Sequence, residues 1–106
     1  MVNLNGNAFV TGSWSPYTAK TELYDFDQNN WEEKADYPFH SRIYAYAALS
    51  VRSAVFIFGG FDGSFVSTVA KYENNIWTLE GNLNQARKGH EAITVNGMAY
   101  IVGGYR

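Results

Sequence analysis

The chain has 106 residues, 46% of them hydrophobic and 17% aromatic, so it has enough apolar material for a folded core and is not an intrinsically disordered segment. Eight lysines and arginines against ten acids give a net charge of −2, which excludes a basic nucleic-acid surface, and the absence of cysteine excludes disulfides and thiolate metal sites. No apolar run approaches the roughly 20 residues of a membrane-spanning helix. We therefore expect neither a nucleic acid nor a membrane as partner, and the lack of cysteine favours a cytoplasmic location.

One segment occurs three times along the chain, at residues 5–12, 52–59 and 96–103. Each copy has a turn followed by a short apolar run that ends in glycine: NGNAFVTG, RSAVFIFG and NGMAYIVG. Other landmarks recur in the same order, with Tyr24 returning as Tyr72, Trp31 as Trp77 and Arg42 as Arg87. The repeat unit is about 45 residues long, which is typical of propeller blades and of helical armadillo and HEAT repeats.

The complete unit predicts four short strands, in chain order Tyr44–Val51, Ala54–Phe58, Thr68–Glu73 and Ile76–Leu79. Three dipeptides between apolar runs indicate tight hairpin turns, namely Asn5-Gly6, Asn74-Asn75 and Asn96-Gly97. No window carries the apolar stripe of an amphipathic helix, so helical repeats are rejected.

A small antiparallel sheet with apolar residues on both faces must stack on the next copy to bury them. Radial stacking of twisted sheets gives a β-propeller. The predicted fold class is therefore all-β, with four-stranded antiparallel blades and two blades' worth of an incomplete or oligomer-completed propeller. Within this single domain we assign residues 1–41 to a partial repeat, 42–86 to a complete repeat and 87–106 to a second partial repeat.

Blades crowd near the propeller axis and splay apart outward, which predicts where small and large residues lie. The small residues expected on the inner strands are Ala45, Ala47, Ala48 and Ala92. The pairs Tyr24 with Trp31 and Tyr72 with Trp77 are expected on the outer strands, so the aromatic surplus is interpreted as packing between blades. The pairs Gly59-Gly60 and Gly103-Gly104 end the second strands, where crowding or a positive φ excludes a Cβ atom.

In this order the residues resemble the kelch repeat. The series Arg87, Ala92, Asn96-Gly97 and Tyr100 to Gly104 is similar to the first half of that repeat. The series Gly59-Gly60-Phe61-Asp62-Gly63, Tyr72 and Trp77 is similar to the second half, which Tyr24-Asp25 and Trp31 repeat. The first unit departs from the pattern, because Gly12-Ser13 stands where the family has two glycines.

The resemblance implies a non-catalytic protein–protein interaction module that binds partners at one end of the ring. The loop residues that would line this end are Trp14, Tyr17, Tyr44, Phe61, Lys88 and Tyr105. In kelch proteins that carry a BTB domain this end recruits substrates to a ubiquitin ligase, so the resemblance also implies an origin in such a substrate-recognition propeller. The alternative is a carbohydrate-active or sialic-acid-binding kelch propeller, in which Arg42 and Arg87 bind the ligand instead of bonding loop carbonyls.

No catalytic residue, metal or cofactor is expected, and the chain is interpreted as not being an enzyme. A copper-radical oxidase of this fold needs a tyrosine cross-linked to cysteine, and cysteine is absent. His40 and His90 lack the spacing of metal ligands and are expected in a loop or at a strand edge.

Propellers have roughly four to eight blades, so about two units do not close a ring. Two apolar sheet faces would remain bare, which predicts self-association or completion by further blades, and three chains would give six blades. Residues near 3–12 and near 94–103 are the same repeat segment. We therefore expect one copy of this segment to be displaced when chains assemble head to tail.

Overall fold

The computed structural model describes residues 2–14, 17–40 and 42–105, and the side chains of Ser13, Trp14 and Tyr17 lie outside that description. The described residues form ten strands and no helix. The strands are β1 (Val2–Leu4), β2 (Asn7–Trp14), β3 (Tyr17–Asp25), β4 (Asn30–Lys34), β5 (Ala47–Val51), β6 (Ala54–Phe61), β7 (Phe65–Glu73), β8 (Ile76–Asn82), β9 (Glu91–Val95) and β10 (Met98–Val102). No helix long and apolar enough to cross a membrane occurs in this part of the chain.

The strands form three separate antiparallel sheets in chain order. The first sheet contains β1 to β4, the second sheet contains β5 to β8, and β9 pairs with β10 as a two-stranded hairpin. Each four-stranded sheet is a simple up-and-down meander, because neighbouring strands are joined by short turns. The predicted all-β fold of four-stranded antiparallel blades is confirmed.

Tight turns lie at the three dipeptides of asparagine and glycine where the sequence predicted them. Asn5 and Gly6 have φ values of 52° and 85°, and Asn96 and Gly97 have 52° and 79°. Positive φ at both central residues defines the type I′ turn, whose twist matches that of the two strands it connects. The Asn74-Asn75 turn between β7 and β8 has the same pair of positive φ values, 53° and 59°.

The core lies between the first and second sheets and includes a group of aromatic rings that pack on one another. Phe9 of β2 is 1% exposed, and its ring centroid lies 4.8 Å from that of Tyr72 and 6.2 Å from that of Trp77, both in the second sheet. Tyr37, in the linker between the sheets, packs edge-on against Trp77 at 5.2 Å. These aromatic side chains join one blade to the next, as the aromatic composition predicted.

The Gly59-Gly60 pair lies within β6, which runs on to Phe61 instead of ending at the glycines as predicted, and the backbone of the following linker crosses at this pair. A Cβ atom on Gly59 would lie 2.8 Å from the carbonyl oxygen of Arg87, and the Gly60 amide donates a 2.8 Å hydrogen bond to that same oxygen. Gly12 meets the carbonyl of Ile43 in the equivalent way. Gly103 meets nothing within 4 Å among the described residues, where no third linker crosses it.

The inner strand of the second sheet is shorter than predicted. It begins at Ala47 rather than Tyr44, so Ala45 is not a strand residue. Ala45 instead has a φ of 56°, and Gly89, at the same position before β9, has 66°. The linker therefore turns through a left-handed residue before it enters the inner strand. Ala45 lies at that turn and not on the crowded inner strand, although its φ favours glycine.

Candidate functional site

The loops at one end of the sheets are held by two identical backbone pairings. Tyr44 and Phe61 exchange hydrogen bonds of 3.1 and 2.8 Å, and Lys88 and Tyr105 exchange bonds of 3.0 and 2.8 Å. In each case the linker that enters a blade pairs with the residue that follows the glycine pair of the same blade. Four of the six predicted loop residues are thereby fixed at the same end of the molecule.

The side chains at this end form what we call the end-surface cluster, made of Tyr44, Phe61, Phe65, Lys88 and Tyr105. The Phe61 ring contacts those of Tyr44 and Phe65, with centroids 5.5 and 5.7 Å away. The Lys88 ammonium lies 4.4 Å above the Phe61 ring, a cation–π distance. Phe65 is 39% exposed and Tyr105 is 69% exposed, so the cluster has aromatic surface open to solvent.

Sequence reasoning missed Phe65. It is paired with Phe61 across the turn between β6 and β7, and this pairing places the two rings on the same end of the blade. A phenylalanine on each side of the short Asp62-Gly63-Ser64 turn was the available signal. The two residues at the corresponding place in the first sheet, Trp14 and Tyr17, pair with each other across the β2–β3 connection. Their side chains lie outside the described residues.

The recurring arginines both bond to main-chain carbonyls of these loops. Arg42 donates from Nε to the Asp62 carbonyl at 2.9 Å, and Arg87 donates from a terminal nitrogen to the Gly103 carbonyl at 3.2 Å. The two arginines do not occupy the same backbone position in their linkers. The Arg87 carbonyl lies beside Gly59, whereas the carbonyl beside Gly12 belongs to Ile43, one residue after Arg42. Each guanidinium nevertheless reaches the end of the second strand of its own blade.

His40 belongs to a polar array that fastens the linker to the second sheet. Its Nδ1 lies 2.8 Å from the Asp62 carboxylate, and its Nε2 lies 3.0 Å from the Thr68 hydroxyl. The ring also stacks on Tyr37, with centroids 6.0 Å apart. The amides of Asp62 and Ser64 are bonded within the Asp62–Ser64 turn, so those donors are already engaged. We interpret the array as a brace that positions the Asp62 loop beside the end-surface cluster.

His90 lies in the linker directly before β9, at a strand edge as the sequence predicted, but its side chain is buried between blades. It is 5% exposed, and its Nε2 lies 2.6 Å from the carbonyl of Phe58. Because a carbonyl only accepts, Nε2 carries the proton. Burial, together with the nearby Arg87 charge, lowers the pKa of His90 below its usual value despite hydrogen bonds that favour the charged form.

Two tyrosines on the linker between the first and second sheets are also shielded from solvent. Burial raises the pKa of Tyr46, although the hydrogen bond that its hydroxyl donates to the Thr11 carbonyl acts in the opposite direction. Burial and the neighbouring Asp62 carboxylate raise the pKa of Tyr37 as well. Both phenols are therefore neutral at physiological pH. Among the described residues no group of three His, Asp or Glu side chains is placed to hold a metal ion.

Comparison with known proteins gives the family. No family model matches the chain. The chain is 37% identical to Kelch-like protein 25 of Xenopus tropicalis over 90 residues, which is 82% of this chain and 15% of that protein. It is 30% identical to human Kelch-like protein 24 over 105 residues, 99% of this chain and 17% of that protein. The chain belongs to the kelch-repeat family.

The kelch fold is supported independently by a solved structure. The structure of YjhT matches 97% of this kelch chain with a TM-score of 0.78 at 18% identity, and the match covers 33% of that chain. The kelch chain spans about a sixth of the length of the curated relatives named above. Its sheets are thus blades of a propeller.

Proposed function

We propose that the end-surface cluster is the site at which this kelch chain binds a protein partner. The observation that carries the proposal is the combination of exposed aromatic rings with a fixed backbone: Phe65 and Tyr105 are open to solvent, while Tyr44–Phe61 and Lys88–Tyr105 lock the loops below them. Exposed aromatic side chains on a rigid scaffold lose little conformational entropy on binding and are the residues that dominate protein interfaces.

The cluster favours a peptide segment with apolar and acidic side chains. Aromatic rings of Phe61 and Phe65 provide the apolar contact, and Lys88, which lies over Phe61, supplies a cation for an acidic group. The net charge of −2 supports a partner other than a nucleic acid.

The test is a peptide selection followed by matched variants. A random-peptide library is selected on the wild-type chain, and the affinity of the recovered peptides is measured by fluorescence polarisation. We expect Phe65→Ala and Tyr105→Ala each to weaken binding by about tenfold. The control is Ile76→Ala, because Ile76 is 62% exposed and lies at the β7–β8 turn, at the opposite end of the blade. Peptides that bind both cluster variants as tightly as the wild type, with circular dichroism unchanged, would overturn the proposal.

Three finer points belong to the same proposal. The resemblance to kelch-like proteins supports an origin in the substrate-recognition propeller of a ubiquitin-ligase adaptor, acting without catalysis. The absence of cysteine supports a cytoplasmic location. The carbohydrate-binding alternative has less support, because the guanidinium groups of Arg42 and Arg87 bond to backbone carbonyls. Saturable binding on a glycan array that includes sialylated sugars would favour that alternative.

The chain is also proposed to associate with itself or with further blades, so that three chains supply six. Large exposed apolar side chains support this proposal. Phe26 lies in the β3–β4 turn, and those on the sheets are Trp31, Val51, Ile93, Met98, Tyr100 and Val102. Exposed apolar surface of this extent is characteristic of an interaction face.

A further inference from the structure

The described residues contain one closed interface between four-stranded sheets and two outer sheet faces, here called open, that no four-stranded sheet covers. The β9–β10 hairpin covers part of the second sheet's open face, where β9 contacts β5. The closed interface joins the face of the first sheet that carries Phe9 to the face of the second sheet that carries Tyr72 and Trp77. The other face of the first sheet carries Tyr24 and Trp31, the repeat equivalents of Tyr72 and Trp77. The two open faces are thus the repeat equivalents of the two closed ones.

The closed interface shows which contacts a second such junction needs. Trp77 donates from its indole nitrogen to the Ala35 carbonyl at 2.8 Å, and its ring packs on Tyr37 and Phe9. The Tyr37 amide bonds to the Ala19 carbonyl at 2.9 Å. These contacts come from the first sheet and from the linker that follows it.

The second sheet has positions equivalent to these on its open side. Phe56 takes the place of Phe9, because Lys71 pairs with Phe56 as Leu23 pairs with Phe9. The amide of Leu83 bonds to the Ser67 carbonyl at 2.7 Å, as that of Tyr37 bonds to Ala19, so Leu83 takes the place of Tyr37. A groove of about 320 Å³ lies on this face, lined by Leu49, Val51, Phe56, Phe58, Val69 and Ala99.

Trp31 of the first sheet matches this groove. It pairs with Tyr24 as Trp77 pairs with Tyr72, and the two ring pairs have nearly equal centroid separations, 5.1 and 5.2 Å. The Trp31 side chain is 53% exposed, whereas Trp77 is half-buried against the core. The open face of the first sheet therefore has an exposed indole that can pack against another sheet.

Charge distinguishes the open junction from the closed one. In the closed interface, Leu23 of the first sheet and Ala70 of the second sheet both pack in the apolar cluster. On the open faces the equivalent positions are charged, with Lys71 in the place of Leu23 and Glu22 in the place of Ala70. Two apolar positions are thus replaced by two positions of opposite charge.

The surroundings of Glu22 favour the approach of a cation to the open face of the first sheet. Glu22 lies directly opposite Glu33 on the neighbouring strand, and like charges in this position destabilise a sheet. Lys71 has one acidic neighbour, with its Nζ 3.6 Å from a Glu73 carboxylate oxygen, and its side chain keeps 31% exposure. An arriving lysine would relieve the repulsion between Glu22 and Glu33.

Resting on the proposed self-association, we propose that a second copy of this chain seats the open face of its first sheet on the open face of the second sheet, with Trp31 over Phe56 and Glu22 facing Lys71. The junction repeats the closed interface and adds an ion pair that the closed interface lacks. The β9–β10 hairpin of one copy and the β1–β2 hairpin of the other carry the same repeat segment, so one of them leaves its sheet when the copies join.

The test is charge reversal followed by sedimentation velocity over the micromolar range. We expect the wild-type chain to associate, and Glu22→Lys and Lys71→Glu each to weaken association by about tenfold. The double variant is expected to recover the wild-type dissociation constant to within about threefold. Mixing the two single variants is also expected to restore association, because each then offers the other a complementary face. A folding defect would not be rescued by mixing.

Two further measurements keep the outcome specific. Glu32→Lys changes the charge as Glu22→Lys does, but Glu32 pairs with Leu23 and so lies on the closed face of the first sheet, and this variant should leave association unchanged. Trp31→Ala should weaken association as the charge reversals do. A wild-type chain that stays monomeric, or single reversals that associate like the wild type, would overturn the junction. Peptide binding at the end-surface cluster is measured separately, so its loss and the loss of this junction are distinguishable.

Discussion

The Nε2–H group of His90 donates a 2.6 Å hydrogen bond to the carbonyl oxygen of Phe58. Tyr46 makes the same connection one blade earlier, since its hydroxyl donates to the carbonyl of Thr11. Both donors stand immediately before an inner strand, and both acceptors lie on the second strand of the preceding blade. One polar side chain per linker therefore joins consecutive blades through a main-chain carbonyl.

The buried His90 should make folding pH-dependent. Its pKa is lowered in the folded chain, so below its ordinary value of 6.5 the unfolded chain binds more protons than the folded chain. Stability is complete above that pH and falls as the pH is lowered toward the folded pKa. We expect His90→Tyr, which copies Tyr46, to remove this fall. Urea midpoints at pH 8 and at pH 5 provide the measurement, and an equal pH response in both proteins would contradict the prediction.

The two tryptophans should differ sharply although their repeat positions agree. Trp77→Ala removes an indole that packs on Phe9 and Tyr37, and we expect a loss of about 3 kcal/mol in the free energy of unfolding. Trp31→Ala removes a half-exposed side chain, and we expect a loss below about 1 kcal/mol. Denaturant titration at a protein concentration that keeps the chain monomeric compares them. Similar losses for the two variants would show that the core is not confined to the closed interface.

The glycine pairs provide a second matched comparison. Gly59→Ala places a Cβ atom 2.8 Å from the Arg87 carbonyl, whereas Gly103→Ala meets nothing within 4 Å. Both residues have positive φ, so the backbone cost of about 1 kcal/mol is common to both variants. The clash at Gly59 should add roughly 1–3 kcal/mol. Thermal unfolding of the two variants measures this difference, which should vanish if the linker yields without cost.

Ala45 is the position at which glycine should help. Its φ of 56° is strained for alanine, and the equivalent Gly89 adopts 66°. Ala45→Gly relieves this strain while making the unfolded chain more flexible, so we expect a net gain of up to about 1 kcal/mol. A higher melting temperature checks the prediction. Gly89→Ala serves as the reciprocal variant and should lower the melting temperature.

Much of the architecture could be predicted because it depends on a few residue types with narrow conformational roles. Asn96-Gly97 tolerates two positive φ values, so the dipeptide predicts a tight turn. Trp77 needs a large buried contact, so it predicts a packing position on the outer strand. The kelch signature then follows from their order. The paired loops of the candidate site were found for the same reason, since Phe61 and Tyr105 follow glycine pairs.

Other features could not be predicted from the sequence because equivalent positions of the repeats carry chemically different side chains. Tyr46 and His90 perform one function with a phenol and an imidazole, and a search for recurring letters does not align them. Ile43 occupies the backbone position of Arg87, since the linker before the second sheet has one more residue after its arginine. Strand register alone shows that Glu22 is the repeat equivalent of Ala70 and that Lys71 is the repeat equivalent of Leu23.

The two open faces of the sheets are unlike each other, so contact between copies is heterologous and each bound copy presents a fresh acceptor face. The rotation between successive blades then decides the fate of the assembly. If whole chains fill a full turn, the addition stops at a closed ring of fixed size. If they do not, the same contact continues without end, and the product is a helical fibre.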